Sequence, residues 1–279
     1  MTATRGRGVV AVGVDGTPEA VHAAQWAVKA AQLRHLDVLV VNAYEASMVS
    51  PEFAPEAIGA LRHAAERVVN DAASQLIVPP TMRVDTLVEL SSPVTLLLRT
   101  SRTAALIVLG SHHFNLVDRL LTGPVASAVA AQADCPVVVV PGAGNSTHQT
   151  ARSVVVALDG ETAATATLDF AFAEAELRRY SVVALHAFSV REALSDQGRR
   201  TSLAEVLGGH EQSHPDVPVR TLFIPAEPED AIIDSSLSAA LVVVGRPHRR
   251  RLGSWSRSVA KAVLDRTHCP LVVVPQLPA

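Results

Sequence analysis

The chain has 279 residues, 48% of them hydrophobic, 18% charged and 4% aromatic, with a formal net charge of −3. That length suits about two ordinary domains, and the apolar content excludes a disordered chain and requires a core of Val, Leu, Ile and Ala. The near-neutral balance leaves no basic field for nucleic acid, the apolar runs fall far short of the ~20 residues that cross a bilayer, and two cysteines cannot make a disulfide scaffold.

In chain order, short apolar runs predict strands at about 8–14, 36–42, 83–89, 105–110 and 136–140. A second set follows at about 152–158, 180–186, 217–224, 240–245 and 270–274. Ala-rich segments of helical length lie between them, so the pattern is βαβ around a parallel sheet buried on both faces. The first helix is well marked, with Thr17 as N-cap, Pro18 at its first position and Glu19 in its first turn, directly after Asp15-Gly16. The start of the chain runs straight into a strand without a signal-peptide pattern, so a cytoplasmic location is expected.

The two sets repeat each other. Val9-Val-Ala-Val-Gly-Val-Asp-Gly16 matches Val154-Val-Val-Ala-Leu-Asp-Gly160, and Cys135-Pro-Val-Val-Val-Val-Pro141 matches Cys269-Pro-Leu-Val-Val-Val-Pro275. Asp15 and Asp159 lie 144 apart, Gly110 and Gly245 135 apart, and Cys135 and Cys269 134 apart, so the second half is shorter by nine residues and then by one more. A period this long means duplicated domains rather than a solenoid. The expected fold is α/β: two tandem, doubly wound, Rossmann-like domains of flavodoxin size, each with a five-stranded parallel sheet, at residues 1–144 and 150–279. Gly142 to Ala151 forms the joint. The fifth strands, Val137–Val140 and Leu271–Val274, have no later element to cover them, and this predicts that they pair about a pseudo-twofold axis.

Ligands of open parallel sheets bind outside the carboxyl ends of the strands, where strand order reverses. The residues predicted there are Gly13, Asp15, Gly16, Val41, Asn42 and Gly110, and in the second half Asp159, Gly160, Leu185, His186 and Gly245. Asp15 reads either as an acceptor for a base or sugar or as a turn residue before the first helix. Other motifs fail on context. His210-Glu-Gln-Ser-His214 has the zinc-protease spacing, but Gly208-Gly209 precede it and Pro215 pushes His214 out of the helical region. Gly6-Arg-Gly precedes the first strand instead of following it, neither Lys29 nor Lys261 follows a glycine as a Walker A loop requires, and no Gly-x-Ser-x-Gly elbow is present. Cys135 and Cys269, each before Pro at a strand start, read as buried structural thiols.

The strand-Asp-Gly-Thr start, Val-Leu-Gly-Ser at 108–111 and the two Cys-Pro-Val/Leu-Val-Val-Val strands resemble the universal stress protein family, and two copies resemble its tandem class. The resemblance covers nearly all of both halves and implies ATP or another adenine nucleotide as ligand, with Mg2+ able to accompany it. Nucleotide-binding members carry Gly-x2-Gly-x9-Gly-(Ser/Thr) after the fourth strand. By that resemblance Gly13, Asp15 and Val41 would hold the adenosine side, and Gly110, His113, Gly123 and Val125 the phosphates. His113 stands where the second glycine belongs, and Pro124 stands where Ser or Thr belongs, so the spacing is intact but two chemical groups are lost. In the second half the matching positions are Asp159, Gly245, His248 and Ser258, with Arg257-Ser258 or Gly253-Ser254 in the Gly-Ser slot. There Arg246, Arg249, Arg250 and Arg251 either replace lost amide donors to phosphate or form a solvated surface. The implied function is a cytoplasmic stress-response regulator signalling through nucleotide occupancy, with no catalytic residue set, unknown protein partners and room for a homodimer of the tandem chain. The rival is a nucleotide-free interaction protein of the same fold, and a slow ATP hydrolase is a third reading by analogy only.

Overall fold

The β-branched runs read from the sequence become strands, and the Ala-rich segments between them become helices. The structure is a computed structural model, and it describes residues 8–45, 54–111, 123–142, 151–158, 165–188, 196–246 and 258–276. The described residues divide into two compact units, one ending at Gly142 and the other running from Ala151 onward. No helix among them is long and apolar enough to cross a membrane.

The first unit contains β1 (Val9–Gly13), α1 (Pro18–Arg34), β2 (Asp37–Tyr44), α2 (Ala54–Ser74), β3 (Val84–Leu90), α3 (Pro93–Thr100), β4 (Ala104–Gly110), α4 (Pro124–Gln132) and β5 (Val137–Val140). All its strand pairs are parallel, in the order β3-β2-β1-β4-β5. The second unit repeats this with β6 (Ser153–Ala157), α5 (Thr165–Arg178), β7 (Ser181–Phe188), α6 (Asp196–Ser213), β8 (Val219–Pro225), α7 (Pro228–Ser236), β9 (Leu241–Gly245), α8 (Val259–Leu264) and β10 (Leu271–Val274). Its order is β8-β7-β6-β9-β10, again all parallel.

Successive residues of a strand face opposite sides of its sheet, so consecutive buried residues mean that both faces are covered. Val10, Ala11 and Val12 of β1 are each 0% exposed, and Val154, Val155 and Val156 of β6 are buried in the same way. By contrast β3 and β8 alternate less cleanly and expose Asp85, Thr86, Arg220 and Thr221. Charged residues on such strands guard against unwanted strand addition. α1 packs on β1 and β4, α2 on β2 and β3, and α3 against α4; α5 packs on β6 and β9, and α7 against α8.

Helix starts are set by local chemistry. Thr17 caps α1, its hydroxyl accepting from Ala20 N at 3.3 Å, and Pro18 occupies the first turn where its missing N–H costs nothing. Such a cap contributes about 1 kcal/mol. Ser92 caps α3 in the same manner, again with Pro in the first turn.

Candidate functional site

In each unit the connection out of the first strand turns one way, to β2 or β7, while the fourth strand, β4 or β9, lies on the other side. The order reverses there, and the carboxyl ends of those strands open a crevice. In the first unit Gly13 is in register with Val41 of β2 and Leu109 of β4. The chain then continues one residue further in strand fashion, because Val14 N donates to Val41 O at 2.9 Å. The side-chain amide of Asn42 donates to Val14 O, which fixes the end of β1 against β2.

The Asp15-Gly16-Thr17 turn follows. Asp15 is exposed, and its Oδ1 accepts from Thr17 N at 3.1 Å and from Thr17 Oγ1 at 2.6 Å. The carboxylate therefore does the turn work that is one of its two sequence readings, and it does so at the mouth of the crevice. Gly16 has φ +86°, in the left-handed region where a side chain is strained. Gly110 is required for a different reason. A Cβ there would lie 2.8 Å from Glu19 O and 3.1 Å from Ala20 N, so only glycine lets the first turn of α1 seat on the end of β4. Gly13 is a packing position as well, because its Cβ would fall 2.6 Å from Leu109 Cδ2. Val41 is buried and contributes its carbonyl to Val14.

Gly123 is the N-cap of α4 with φ −53° and ψ 149°, angles open to any residue, and among the described residues no side chain caps this helix. The first helical bond comes from Ser127 N to Gly123 O at 3.2 Å, so the amides of Val125 and Ala126 precede the ladder and Pro124 has none. A helix start with unspent amides attracts anions. His113 lies outside the described residues, as do Asp159 and His248 and the arginines at 249–251.

The second unit keeps the frame and changes its chemistry. Leu158 N donates to Leu185 O at 2.9 Å, and His186 takes the part of Asn42, its Nδ1 standing 3.0 Å from Leu158 O. A carbonyl only accepts, so Nδ1 carries the hydrogen. The ring is 1% exposed, stacked beside Phe188 with centroids 6.1 Å apart and edge-on to Phe223 at 6.0 Å. At the end of β9, Arg246 N donates to Val274 O as Ser111 N donates to Val140 O in the first unit. A Cβ on Gly245 would meet Thr167 Oγ1 at 2.9 Å and Gln276 Nε2 at 3.4 Å. Ser258 caps α8, its Oγ accepting from Lys261 N at 3.2 Å; Gly253, Ser254 and Arg257 lie outside the described residues.

Thr167 and Gln276 were not legible as site residues. Only an aligned comparison of the halves, Ala23 with Thr167 and Gly142 with Gln276, carries the signal, because neither belongs to a motif. His210 and His214 prove to be packing residues. Their rings flank Phe172 at 5.3 and 5.5 Å, His210 Nε2 stands 2.9 Å from Asp169 Oδ1, and His214 Nδ1 stands 3.0 Å from Glu176 Oε2.

A tandem pair of open-sheet α/β domains, each reversing its strand order between its first and fourth strands, defines the class: duplicated Rossmann-like domains. The chain belongs to the universal stress protein family, whose model matches residues 7–141 and again 150–275. A universal stress protein of Mycobacterium tuberculosis is 31% identical over 285 residues, covering 96% of this chain and 97% of its own length. One from Mycolicibacterium smegmatis is 28% identical over 283 residues, covering 95% and 96%. The crystal structure of a universal stress protein from Archaeoglobus fulgidus superposes with a TM-score of 0.74 at 15% identity, covering 98% of this chain and 97% of the other, which is a likeness of fold.

Proposed function

We propose that this chain is a cytoplasmic stress-response regulator that binds an adenine nucleotide, ATP in the first instance, in the crevice of its first unit. The observation that carries this reading is the start of α4: among the described residues Gly123 leaves the helix without a side-chain cap, and the amides of Val125 and Ala126 stand ahead of its ladder. Those amides suit a phosphate. Gly110 brings the first turn of α1 close to the same strand ends, and Asp15 sits on the turn between. Mg2+ would enter with the phosphates, and the function needs occupancy rather than turnover. Denaturing freshly purified protein should release about one adenine nucleotide per chain or more. Gly123→Asp, which sets a carboxylate against the phosphates, should abolish occupancy of this crevice, and Asp15→Ala should weaken it. Retained nucleotide in the Gly123→Asp chain at an undiminished ratio would move the site elsewhere.

A second reading is favoured by one observation. Pro124 occupies the first position of α4 and removes an amide from the phosphate side. In that reading the chain is a nucleotide-free interaction protein, and neither purified nor ATP-soaked protein carries nucleotide.

A further inference from the structure

The second unit ties α6 to α5 with two imidazole–carboxylate pairs that the first unit lacks the carboxylates to make. His210 Nε2 stands 2.9 Å from Asp169 Oδ1, and His214 Nδ1 stands 3.0 Å from Glu176 Oε2. Asp15 and Asp159, like Asn42 and His186, lie 144 apart, and that offset sets Gln25 and Gln32 in the places of Asp169 and Glu176. His210 is the more constrained of the two imidazoles. Its Nδ1 faces Val206 O at 2.9 Å while its Nε2 faces the carboxylate, and a carbonyl and a carboxylate both only accept. A neutral imidazole has one N–H, so it must turn a lone pair on one of these partners. Only the imidazolium makes both bonds.

The surroundings suit that charge. Phe172 is 0% exposed between the two rings, with centroids at 5.3 and 5.5 Å, and an aromatic face within about 6 Å attracts a cation. α5, the helix packed on α6, brings the exposed acids Asp169 and Glu176 to the rings, and its Glu174 is paired with Arg178. On α6 and the turn after it, Glu205, Glu211 and Asp216 are exposed acids. The helix is also weakly built here. Gly208 and Gly209 directly precede His210, and a Cβ on either would meet nothing within 4 Å, so packing calls for neither glycine. Both make the last turns of α6 easier to open.

We propose that the α5–α6 seam is a proton-operated clamp. With both ring hydrogens in place, His210 bonds Asp169 and Val206 together and holds the end of α6 on α5. When the second hydrogen leaves, one of these bonds is lost, the other loses its charge, and the end of α6 opens. Free imidazoles exchange that hydrogen near pH 6.5. The closed seam holds one hydrogen more than the open one, so its stability is fully present on the acid side and is lost as the pH rises. His214 contributes less, because a neutral ring can keep its Nδ1–H toward Glu176. This is a pH input to the second unit that does not depend on the nucleotide reading above.

The test uses the full chain. Nitrogen-15 NMR of the imidazoles reads the ring directly: His210 should carry hydrogen on both nitrogens at about pH 5.5 and on one at about pH 8. Native-state amide exchange, corrected for the intrinsic rate at each pH, reads the opening. Protection of the amides of 209–213 should fall about tenfold or more across that window, the worth of a bond to a charged group. His210→Gln supplies a donor that does not titrate. In Asp169→Asn a neutral ring can donate to Val206 O and accept from the new amide. The fall should vanish in both variants and persist in His214→Gln. A His210 ring with a single hydrogen at about pH 5.5 overturns the clamp. So does protection that stays flat with pH in the parent chain, or a fall that survives in His210→Gln and Asp169→Asn. Should His210→Gln not fold, Asp169→Asn, altered at an exposed position, decides together with the ring state of the parent chain.

Discussion

Single residues in this chain are held by burial more than by charge, and the two cysteines show what that does. Cys135 and Cys269 sit at the feet of β5 and β10, 6% and 1% exposed. Burial pushes each thiol up from 9.0 to about 12. The folded chain thus keeps two protons that the unfolded chain gives up above about pH 9. Their contribution is fully present below that pH and is lost as the pH rises toward 12. Urea midpoints should fall across that window, with each thiol costing up to about 1.4 kcal/mol per pH unit. A Cys135→Ala/Cys269→Ala chain should start less stable and lose stability with a shallower alkaline slope. The same burial predicts negligible labelling by a thiol reagent at neutral pH until the chain is unfolded. An immediate reaction of two thiols per native chain would contradict the placement.

At the scale of elements, α5 and α6 show why a motif needs its surroundings. His210-Glu-Gln-Ser-His214 has metal-site spacing, and α6 does run helically through Gly208-Gly209 as far as Ser213, despite a cost of roughly 1 kcal/mol for each glycine. Packing offsets that cost: Phe172 is 0% exposed between the two imidazoles, and Asp169 and Glu176 hold their outer nitrogens. His210 Nδ1 faces Val206 O at 2.9 Å, so both of its nitrogens are engaged. Among the described residues no group of three or more His, Cys, Asp or Glu could hold a metal ion. Because Asp169, Val206 and Glu176 already engage these nitrogens, losing His210 should leave any zinc response of the chain unchanged. His210→Leu should instead destabilise the second unit by about 1–2 kcal/mol, through lost hydrogen bonds to Asp169 and Val206. The strands and the first helix were legible to within a residue or two, because apolar runs, Thr17-Pro18 and the repeat are local signals. The helical continuation through Gly208-Gly209 was not, since it depends on Phe172 thirty-six residues earlier. Nor was the cluster at Gly245, which topology assembles from α5, β9 and the chain after β10.

The whole molecule is one design written twice and then altered, and its glycines measure how far the copies have diverged. The sequence marks Gly110 and Gly245 alike, as the first glycine of a phosphate loop. The structure gives them different neighbours. A Cβ at 110 would strike the backbone of α1 at Glu19 O and Ala20 N, which can yield only by shifting the helix. A Cβ at 245 would strike Thr167 Oγ1 and the Gln276 amide, which are the ends of rotatable side chains, though Thr167 is buried. Overpacking against backbone costs about 1–3 kcal/mol or more, and side chains that can turn away reduce it. Gly110→Ala should therefore lower the urea midpoint more than Gly245→Ala, by a margin of about 1 kcal/mol or more. Adding Thr167→Ala to Gly245→Ala should recover part of that smaller loss, because it reproduces the pairing of a small residue at position 167 that the first unit has in Ala23. No comparable rescue exists for Gly110→Ala, since the obstructing atoms belong to the main chain. Equal costs at the two positions would mean that both copies still use this glycine in the same way, and that the polar cluster of the second unit leaves its helix seated as in the first.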